Sequence, residues 1–503
     1  MPIRMSGMVS GLDTDAIIKE LMSAQSLKKT NIEGKKEKLD WTKEKWSEMN
    51  SKLYSFYTDK LSPLKFQGSY LTKKAVSSDE TKVKASASSA VAGSYSLSVS
   101  KLASAEYVTG ADIKDNGYTQ STLLTDTGMS SGQTITIKTG KDLENITSIT
   151  IDSDTTIGDL TDRLKEAGLS ANFDVKSGRF FIAAKDTGEA NKFTIESDAL
   201  AGEGLENLGL KNITAEMAEN GMDAANSGEM AIVAASDASI KLNGAIINSG
   251  SNTIQVNGLT LDLIGTTNED GIKLTVSNDV DAVYDKIKDF VKSYNELMDE
   301  MYNKYNASSA KGYSMLTSDQ KKDMTDDQIK LWEDKIKDSL LRKDETLNSL
   351  MSAFRSSMQG TVTIDGESFS LSSFGIVTGD YTERGMLHIQ GDSDDAQFMD
   401  KTNKLKAMLE EDPEKVSKAL SGIMDKFYDT LSNKMSASNI SSALTFYNDK
   451  QMKTQAENYE KQIKKWETKL TDIEDRYYKQ FSAMEKAMAN LQNQQNQLAG
   501  FLG

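Results

Sequence analysis

From Met452 onward, apolar or small positions recur in steps of four and three: Met452, Ala456, Tyr459, Ile463, Trp466, Leu470, Ile473 and Tyr477. After one extra step of four to Phe481, the series continues through Met484, Met488, Leu491, Gln495, Leu498 and Leu502. Such spacing draws one narrow stripe along a helix, a coiled-coil seam with a single shift of phase. At 1.5 Å per residue this helix would be about 80 Å long, too long for the core of a compact domain. The N-terminal segment carries a similar stripe through Ile17, Leu21, Ala24, Lys28, Ile32, Lys35, Leu39, Thr42, Trp46, Met49, Leu53 and Phe56, ending near Pro63. Asp13 or Thr14 supplies its N-cap. Two seams of comparable length most simply pack against each other antiparallel, although the same faces would serve for pairing with other chains. Lys28 and Lys35 weaken the early part of the first seam and favour a partially exposed or partner-dependent helix. Residues 490–497 are uncharged and polar, and read either as a frayed helix end or as an interface that orders on assembly.

Between about residues 76 and 278 the period changes to two. Val83, Ala85 and Ala87 alternate with polar residues, as do Tyr95, Leu97 and Val99, in the manner of half-buried antiparallel strands. Ile240 and Leu242 lead to Asn243-Gly244, and Ile254 and Val256 to Asn257-Gly258 before Leu259, Leu261 and Leu263; Asn-Gly between alternating runs predicts a hairpin. Residues 149–196 read as a compact β-α-β-β module with its own small core: a strand at Ile149 and Ile151, a helix with Ile157, Leu160 and Leu164 ended by Gly168, and three further strands. Helical spacing returns at 280–355, with Val283, Ile287, Phe290, Val291, Tyr294 and Leu297 on one face and Ile329, Trp332, Ile336, Leu340 and Leu347 on another. The face of Phe290, Tyr294 and Trp332 is expected to be core. A capping box spans Thr325 to Gln328, an Asp365-Gly366 turn marks a short β excursion, and Asp412 caps a helix opened by Pro413.

Length and composition then restrict the chemistry. At 503 residues the chain is multidomain. Apolar residues make up 38% and charged residues 27%, polar for a globular chain, but the strong periodicity argues for extended, well-solvated architecture rather than disorder. With 59 basic and 75 acidic residues the net charge is −16, and no basic stripe with interleaved aromatics occurs, so nucleic acid is not an expected partner. Cysteine is absent and histidine occurs once, which removes thiol chemistry, disulfides and Cys/His metal clusters. The single His388 lies in an alternating strand-like run without a G-x-S-x-G elbow and reads as a solvated strand residue. Asp392, Asp394 and Asp395, like Asp152 and Asp154, lack the glycine and bidentate glutamate of a calcium loop and read as solvated turns. Residues 202–209 only loosely resemble a dinucleotide loop and read as an ordinary one. No cofactor, metal or catalytic residue is expected, no apolar run is long enough to insert in a membrane, and the N-terminus has no secretory signal core. Those features leave a cytoplasmic protein or one exported by a route that keeps its N-terminus.

Several segments, in order, carry a more specific resemblance: SGLDTDAIIKELM at 10–22 with Gly7 before it, TIGDLTDRLKEAGLSANFD at 156–174 with RFFIAAKDTGEANKFTI at 179–195, and DASIKLNGAIINSGSNTIQVNGLTLDL at 237–263. YNELMDEM, LTSDQKKDMTDDQIKLWEDKIKDSLLRKDETL, FGIVTG and LEEDPEKV follow. Their combined order resembles the flagellar filament cap family, flagellar hook-associated protein 2, over nearly the whole chain. Met315 before Leu316, where the family has proline, and Ser421-Gly422 after Leu420, where an aromatic is usual, depart from its pattern.

The resemblance implies an α+β multidomain fold: long terminal coiled-coil helices forming legs and a helical domain, with antiparallel β-rich domains inserted between them. The boundaries expected are legs at 1–40 and 468–503, whose order before assembly is left open, and a helical domain at 41–75 and 279–467 with a β excursion at 360–391. A β domain at 76–105 and 235–278 and an outer one at 106–234 complete the chain. It further implies export through the flagellar type III channel without a cleaved signal and a ring-shaped homo-oligomer, pentameric in the family, at the filament tip. Flagellin, the hook-filament junction protein and a cytoplasmic export chaperone are the partners it implies. Ile17, Leu21, Met484, Met488, Leu491 and Leu498 are the expected leg contacts. The rival reading is a surface adhesin that binds mucin or host glycans through residues 106–234.

Overall fold

The structure, a computed structural model, describes residue 11 and residues 13–198, 202–224, 226 and 228–502, with backbone alone at 202, 203 and 499–502. The motif positions Gly7, Ser10 and Leu12 and the Leu502 side chain fall outside that description. The chain divides into two compact units, one formed by the segments up to residue 71 and from 280 onward, the other by residues 72–279.

The first unit is helical. Its main helices are α1 (Thr14–Ser55), α2 (Val280–Tyr305), α3 (Asp326–Asp338), α4 (Glu345–Met358), α5 (Pro413–Lys434) and α6 (Asp449–Leu502). Asp13 caps α1, its carboxylate accepting from the Ala16 amide at 3.0 Å. Beyond Ser55, α1 runs into a π-helical turn, Phe56–Leu61, and a last turn ending at Leu64. The extra residue in a π turn rotates the chain about its axis, so the adjacent Phe56 and Tyr57 are both buried together with Leu61. Phe56 stands 5.6 Å from Phe290 of α2, 5.5 Å from Phe354 of α4 and 6.0 Å from Phe427 of α5, and Phe354 meets Phe427 edge-on at 5.0 Å. Four elements distant in sequence thus converge on one aromatic cluster.

Local signals place the ends of these helices. Thr325 and Gln328 close the capping box, Asp344 accepts from the Leu347 amide at 2.9 Å, and Asp412 accepts from the Lys415 amide at 3.0 Å with Pro413 at the first helical position. Leu347 belongs to α4 and not to the stripe of α3, because Lys343, at φ 57°, reverses the chain between them. Phe290 and Tyr294 are core as expected, whereas Trp332 is not. Its ring is half-buried outside the core, edge-on to Tyr313 at 4.7 Å, with the indole N–H donating to the Ser314 carbonyl at 2.8 Å. That loop packs on α1 at Gly34, where a Cβ would stand 3.0 Å from the Met315 Cβ, so methionine in place of proline is matched by a glycine opposite. Gly422 likewise lets α5 approach Val362, whose Cγ1 would lie 3.2 Å from an added Cβ. The excursion holds two hairpins, Val362–Ile364 with Glu367–Phe369 over the left-handed Asp365-Gly366 turn, and Ile376–Thr378 with Leu387–Ile389.

The second unit contains two cores. Strands β1 (Lys73–Ser77), β2 (Val83–Ala87) and β3 (Gly93–Lys101) enter the first, and β11 (Ala238–Leu242), β12 (Ala245–Ser249), β13 (Thr253–Val256), β14 (Leu259–Leu263) and β15 (Ile272–Asn278) return to it. They form a five-stranded sheet, β1-β15-β3-β11-β12, and a three-stranded sheet, β13-β14-β2, around Leu97, Val99, Ile240, Leu261 and Leu274. Both Asn-Gly pairs have positive φ, 47° and 90° at 243–244 and 51° and 74° at 257–258, as two-residue hairpin turns require.

The second core holds β4 (Tyr107–Thr109), β5 (Thr134–Thr139), β6 (Asn145–Thr150), β7 (Leu169–Asp174), β8 (Arg179–Ala184), β9 (Phe193–Ser197), β10 (Ala231–Val233) and the helix Ile157–Glu166. Residues 149–196 contain the expected elements but not a core of their own. Strands β6 and β9 flank β5 in one sheet, whereas β7 and β8 join β4 and β10 in another. A segment so short cannot cover its own apolar faces; Val108, Leu124, Ile135, Ile137, Leu205 and Ile232 cover them instead. Within this core Gly202–Asn207, expected as loop, is a short helix.

Phe56→Ala removes the ring shared by four elements and is expected to cost about 3–5 kcal/mol. Urea unfolding followed by circular dichroism measures this; a loss below about 1 kcal/mol would show the cluster to be dispensable.

Candidate functional site

The terminal helices carry the features that chemistry elsewhere lacks. Helix α6 runs antiparallel to α1, with the Lys29 ammonium 3.2 Å from Glu467, Lys36 3.5 Å from Glu460, and the Tyr478 hydroxyl donating to Asp15 at 3.1 Å. Along α6 the seam from Met452 to Met488 is half-buried at Tyr459, Ile463, Trp466 and Leu470 and buried at Ile473. On α1, Ile32 and Leu39 are half-buried, and Trp46 and Leu53 are buried. Trp46 stacks on Tyr447 at 5.6 Å and donates its indole N–H to Asp344 at 3.3 Å, which anchors the seam at the helical core.

The first turns of α1 differ from the expected phase by one residue. Ile18 is 2% exposed, while Ile17 and Leu21 are 36% and 39% exposed. Adjacent isoleucines give two equally apolar choices, and the register with α6 selects the second. Lys28, unexpected in a seam, places its ammonium 5.6 Å from the Trp466 ring centroid, where a cation is attracted to the π face. Burial disfavours the charge on Lys29, but Glu33 and Glu467 outweigh it and hold that ammonium above its ordinary range. Asp40, against a smaller burial effect, does the same for Lys36.

Beyond Tyr478 the stripe of α6 continues. Phe481, Met484 and Met488 are half-buried, and Leu491 and Leu498 are 62% and 61% exposed. Leu27 of α1, which lies off the seam pattern and was not singled out by it, is also strongly exposed. Of the expected contacts, Ile17, Leu21, Leu491 and Leu498 therefore stand on the surface and the two methionines are partly covered.

Elsewhere the titratable side chains of His388 and Lys288 are engaged by carboxylates. His388 is not a solvated residue: its Nδ1 lies 2.6 Å from Asp395, its Nε2 2.7 Å from Glu383, and its ring stacks on Phe398 at 4.5 Å. Asp392 and Asp394 are likewise not free turns but share Lys288, with 2.7 Å to Asp394. Burial opposes the Lys288 charge, yet these carboxylates hold it well above its usual range. Lys288 is about a hundred residues away in sequence, so local spacing held no sign of the pairing. A groove of about 520 Å³ is lined by Lys45, Glu296, Asp299, Glu300, Asn303 and Lys304, but Glu300 is engaged by Lys52 at 2.7 Å and by Lys304 at 3.5 Å. Among the described residues no group of three His, Cys, Asp or Glu side chains could hold a metal ion, and no helix is long and apolar enough to cross a membrane.

Among the described residues, paired terminal helices, an apolar stripe that outruns the pair, and β-rich cores inserted between the helical segments define a class of α+β proteins with long helices at both ends. Comparison with known proteins gives the family. A model described as the Flagellar hook-associated protein 2 C-terminus matches residues 235–493, and one for the N-terminus matches residues 10–106. Flagellar hook-associated protein 2 of Halalkalibacterium halodurans is 26% identical over 97% of either chain, and that of Escherichia coli K12 is 25% identical over 96% of this chain and 95% of its own. A crystal structure of the flagellar cap protein FliD, domains D1-D2-D3, from Escherichia coli shares the fold at a TM-score of 0.51 and 24% identity, covering 78% of this chain and 96% of that one. The chain belongs to the FliD family, flagellar hook-associated protein 2.

Leu470→Asp puts a charge into the middle of the α1–α6 seam and is expected to lose about 2 kcal/mol or more. Thermal melting of the helical signal would show it as an early transition; an unchanged melt would refute the seam as a stabilising contact.

Proposed function

We propose that this chain caps the growing bacterial flagellar filament. The observation that carries the reading, beside the family, is the apolar stripe of α6 that continues past its pairing with α1 to the exposed Leu491 and Leu498. On this reading residues 1–40 and 468–503 are legs that lay Ile17, Leu21, Met484, Met488, Leu491 and Leu498 against filament subunits. The helical domain at 41–75 and 279–467 supports them, and the β domains at 76–105 with 235–278 and at 106–234 form the plate. Copies of the chain, five by resemblance, close a ring at the distal tip, hold back arriving flagellin and promote its folding and insertion.

Flagellin, the hook-filament junction protein and a cytoplasmic chaperone of type III export are the partners this role requires. Apolar side chains set at wide intervals on a helix suit such contacts, because each gains about 1.5–3 kcal/mol on full burial and leaves little apolar surface contiguous beforehand. The net charge of −16 favours solubility before assembly.

Deletion of the gene in its host is expected to leave bare hooks and spill monomeric flagellin into the medium. Complementation with a chain carrying both Leu491→Asp and Leu498→Asp is expected to leave the purified protein's melting temperature unchanged and still fail to restore filaments. Normal filaments in the deletion strain would overturn the cap reading, and if attachment to mucin were reduced there, the adhesive reading would replace it.

A further inference from the structure

Within residues 72–279 the chain passes between the two β cores twice, outward near residues 103–107 and back near 233–238. The two passages are joined by polar bonds. Ser104 and Ser236 exchange backbone hydrogen bonds of 2.9 and 3.0 Å, and their hydroxyls lie 2.8 Å apart. The loop after β8 adds three more: Gly188 N–H donates to the Ser104 carbonyl at 3.1 Å, Glu189 N–H to Asp237 at 2.8 Å, and the Thr187 hydroxyl to the Gly250 carbonyl at 2.6 Å. Gly188 is required there, since at φ 100° an added Cβ would stand 2.5 Å from the Gly250 Cα. The passage is a narrow neck held by directional bonds.

One ionisable side chain is sealed beside this neck, inside the second core. Glu106 is 0% exposed; its carbonyl accepts from the Ala184 amide at 2.9 Å and its Oε2 from the Phe193 amide at 2.7 Å. The carboxyl thus ties the start of β4 to the start of β9, in the other sheet. Among the described residues its second oxygen, Oε1, has no partner, and neither has the hydroxyl of the neighbouring buried Thr194. A buried carboxylate with an unsatisfied oxygen is costly, and the neutral protonated acid is much less so. We propose that Glu106 makes the tie between the two sheets of the second core a proton-sensitive joint beside this neck, closed while the carboxyl carries its proton and loosened once it ionises.

Burial pushes this carboxyl from its ordinary 4.5 up to about 7, against the pull of the Phe193 amide and the Lys192 ammonium. Lys192, at the β9 side, is the charge that acts on it. Asp237, on the returning passage, is turned to the Glu189 amide, and Lys185, Asp186 and Glu189 of the loop are solvent-exposed. In the opened joint Glu106 meets water, so the closed form is the better proton binder. Closure is therefore fully favoured below about pH 4.5, weakens by about tenfold per unit as pH rises to about 7, and is level above that.

Hydrogen exchange of the full chain and of Glu106→Gln, compared at each pH so that intrinsic exchange cancels, tests this. At residues 103–108 and 184–195 the wild type is expected to exchange at nearly the variant's rate at pH 5 and about two orders of magnitude faster at pH 7.5. Amides of Leu97 and Val99 in the first core should show no such ratio, and they serve as an internal reference in the wild type if the variant does not fold. A ratio independent of pH overturns the proposal. A ratio rising equally throughout residues 72–279 also overturns it, because Glu106 would then set global stability and not a joint.

Discussion

The contact of Phe56 with Phe290, Phe354 and Phe427 is the one on which the helical unit depends. It joins the end of α1 to three helices that follow only after the whole β-rich insertion. Closing a loop of that length is cheaper than it looks, because the entropic cost grows with the logarithm of length and each doubling adds only about 0.6 kcal/mol. A buried aromatic cluster exceeds that increment easily. The fold can therefore carry about two hundred inserted residues between Phe56 and Phe290 without weakening the cluster, provided the insertion closes on itself. It does so through β1 and β15, where Lys73 pairs with Asn278 and the Asp279 amide donates to the Thr72 carbonyl at 2.8 Å.

The parts of this architecture that rest on local rules are legible in the sequence. The seam of α6 follows its heptad positions from Met452 to Met488, both Asn-Gly turns form hairpins, and Thr325 and Asp412 cap their helices. Periodicity fails where it offers two equal answers. Ile17 and Ile18 are both isoleucine, so hydrophobicity cannot choose between them, and only the register set by Lys29 with Glu467 and Lys36 with Glu460 does. It fails too where a lysine stands in for an apolar residue, since Lys28 joins the seam through the face of Trp466.

Interactions that exist only once turns and segments have come together are illegible for a different reason. His388 looks solvated in its strand because its partners, Glu383 and Asp395, face it only once the second hairpin and the loop after it have folded. Lys288 meets Asp392 and Asp394 across the unit, and Trp332 finds Ser314 and Tyr313 in place of the core. Residues 149–196 mislead in the same way: their strands are correctly periodic, but a period does not say which strand lies beside which. The exposed ends of α6 are legible as pattern and ambiguous as meaning, because a stripe of Leu491, Gln495 and Leu498 suits a solvated helix end and a partner's surface alike.

The spacing of that stripe is itself informative on the proposed reading. Leu491 and Leu498 are seven residues apart on a run otherwise made of glutamine and asparagine, so they share one helix face without forming a continuous apolar patch. A fully apolar face of this length would bind its own copies as readily as the filament, in any register. Uncharged amides around isolated leucines reduce that hazard: they neither repel an acidic neighbour nor bury a charge when covered, and they can exchange hydrogen bonds with many surfaces. Affinity then comes from several weak contacts engaged together, including Ile17 and Leu21 at the start of α1. If, on the proposed reading, the cap gives way to each added subunit, it is better served by that arrangement than by one deep, slowly dissociating pocket, because residence time at a single strong site lengthens with its affinity.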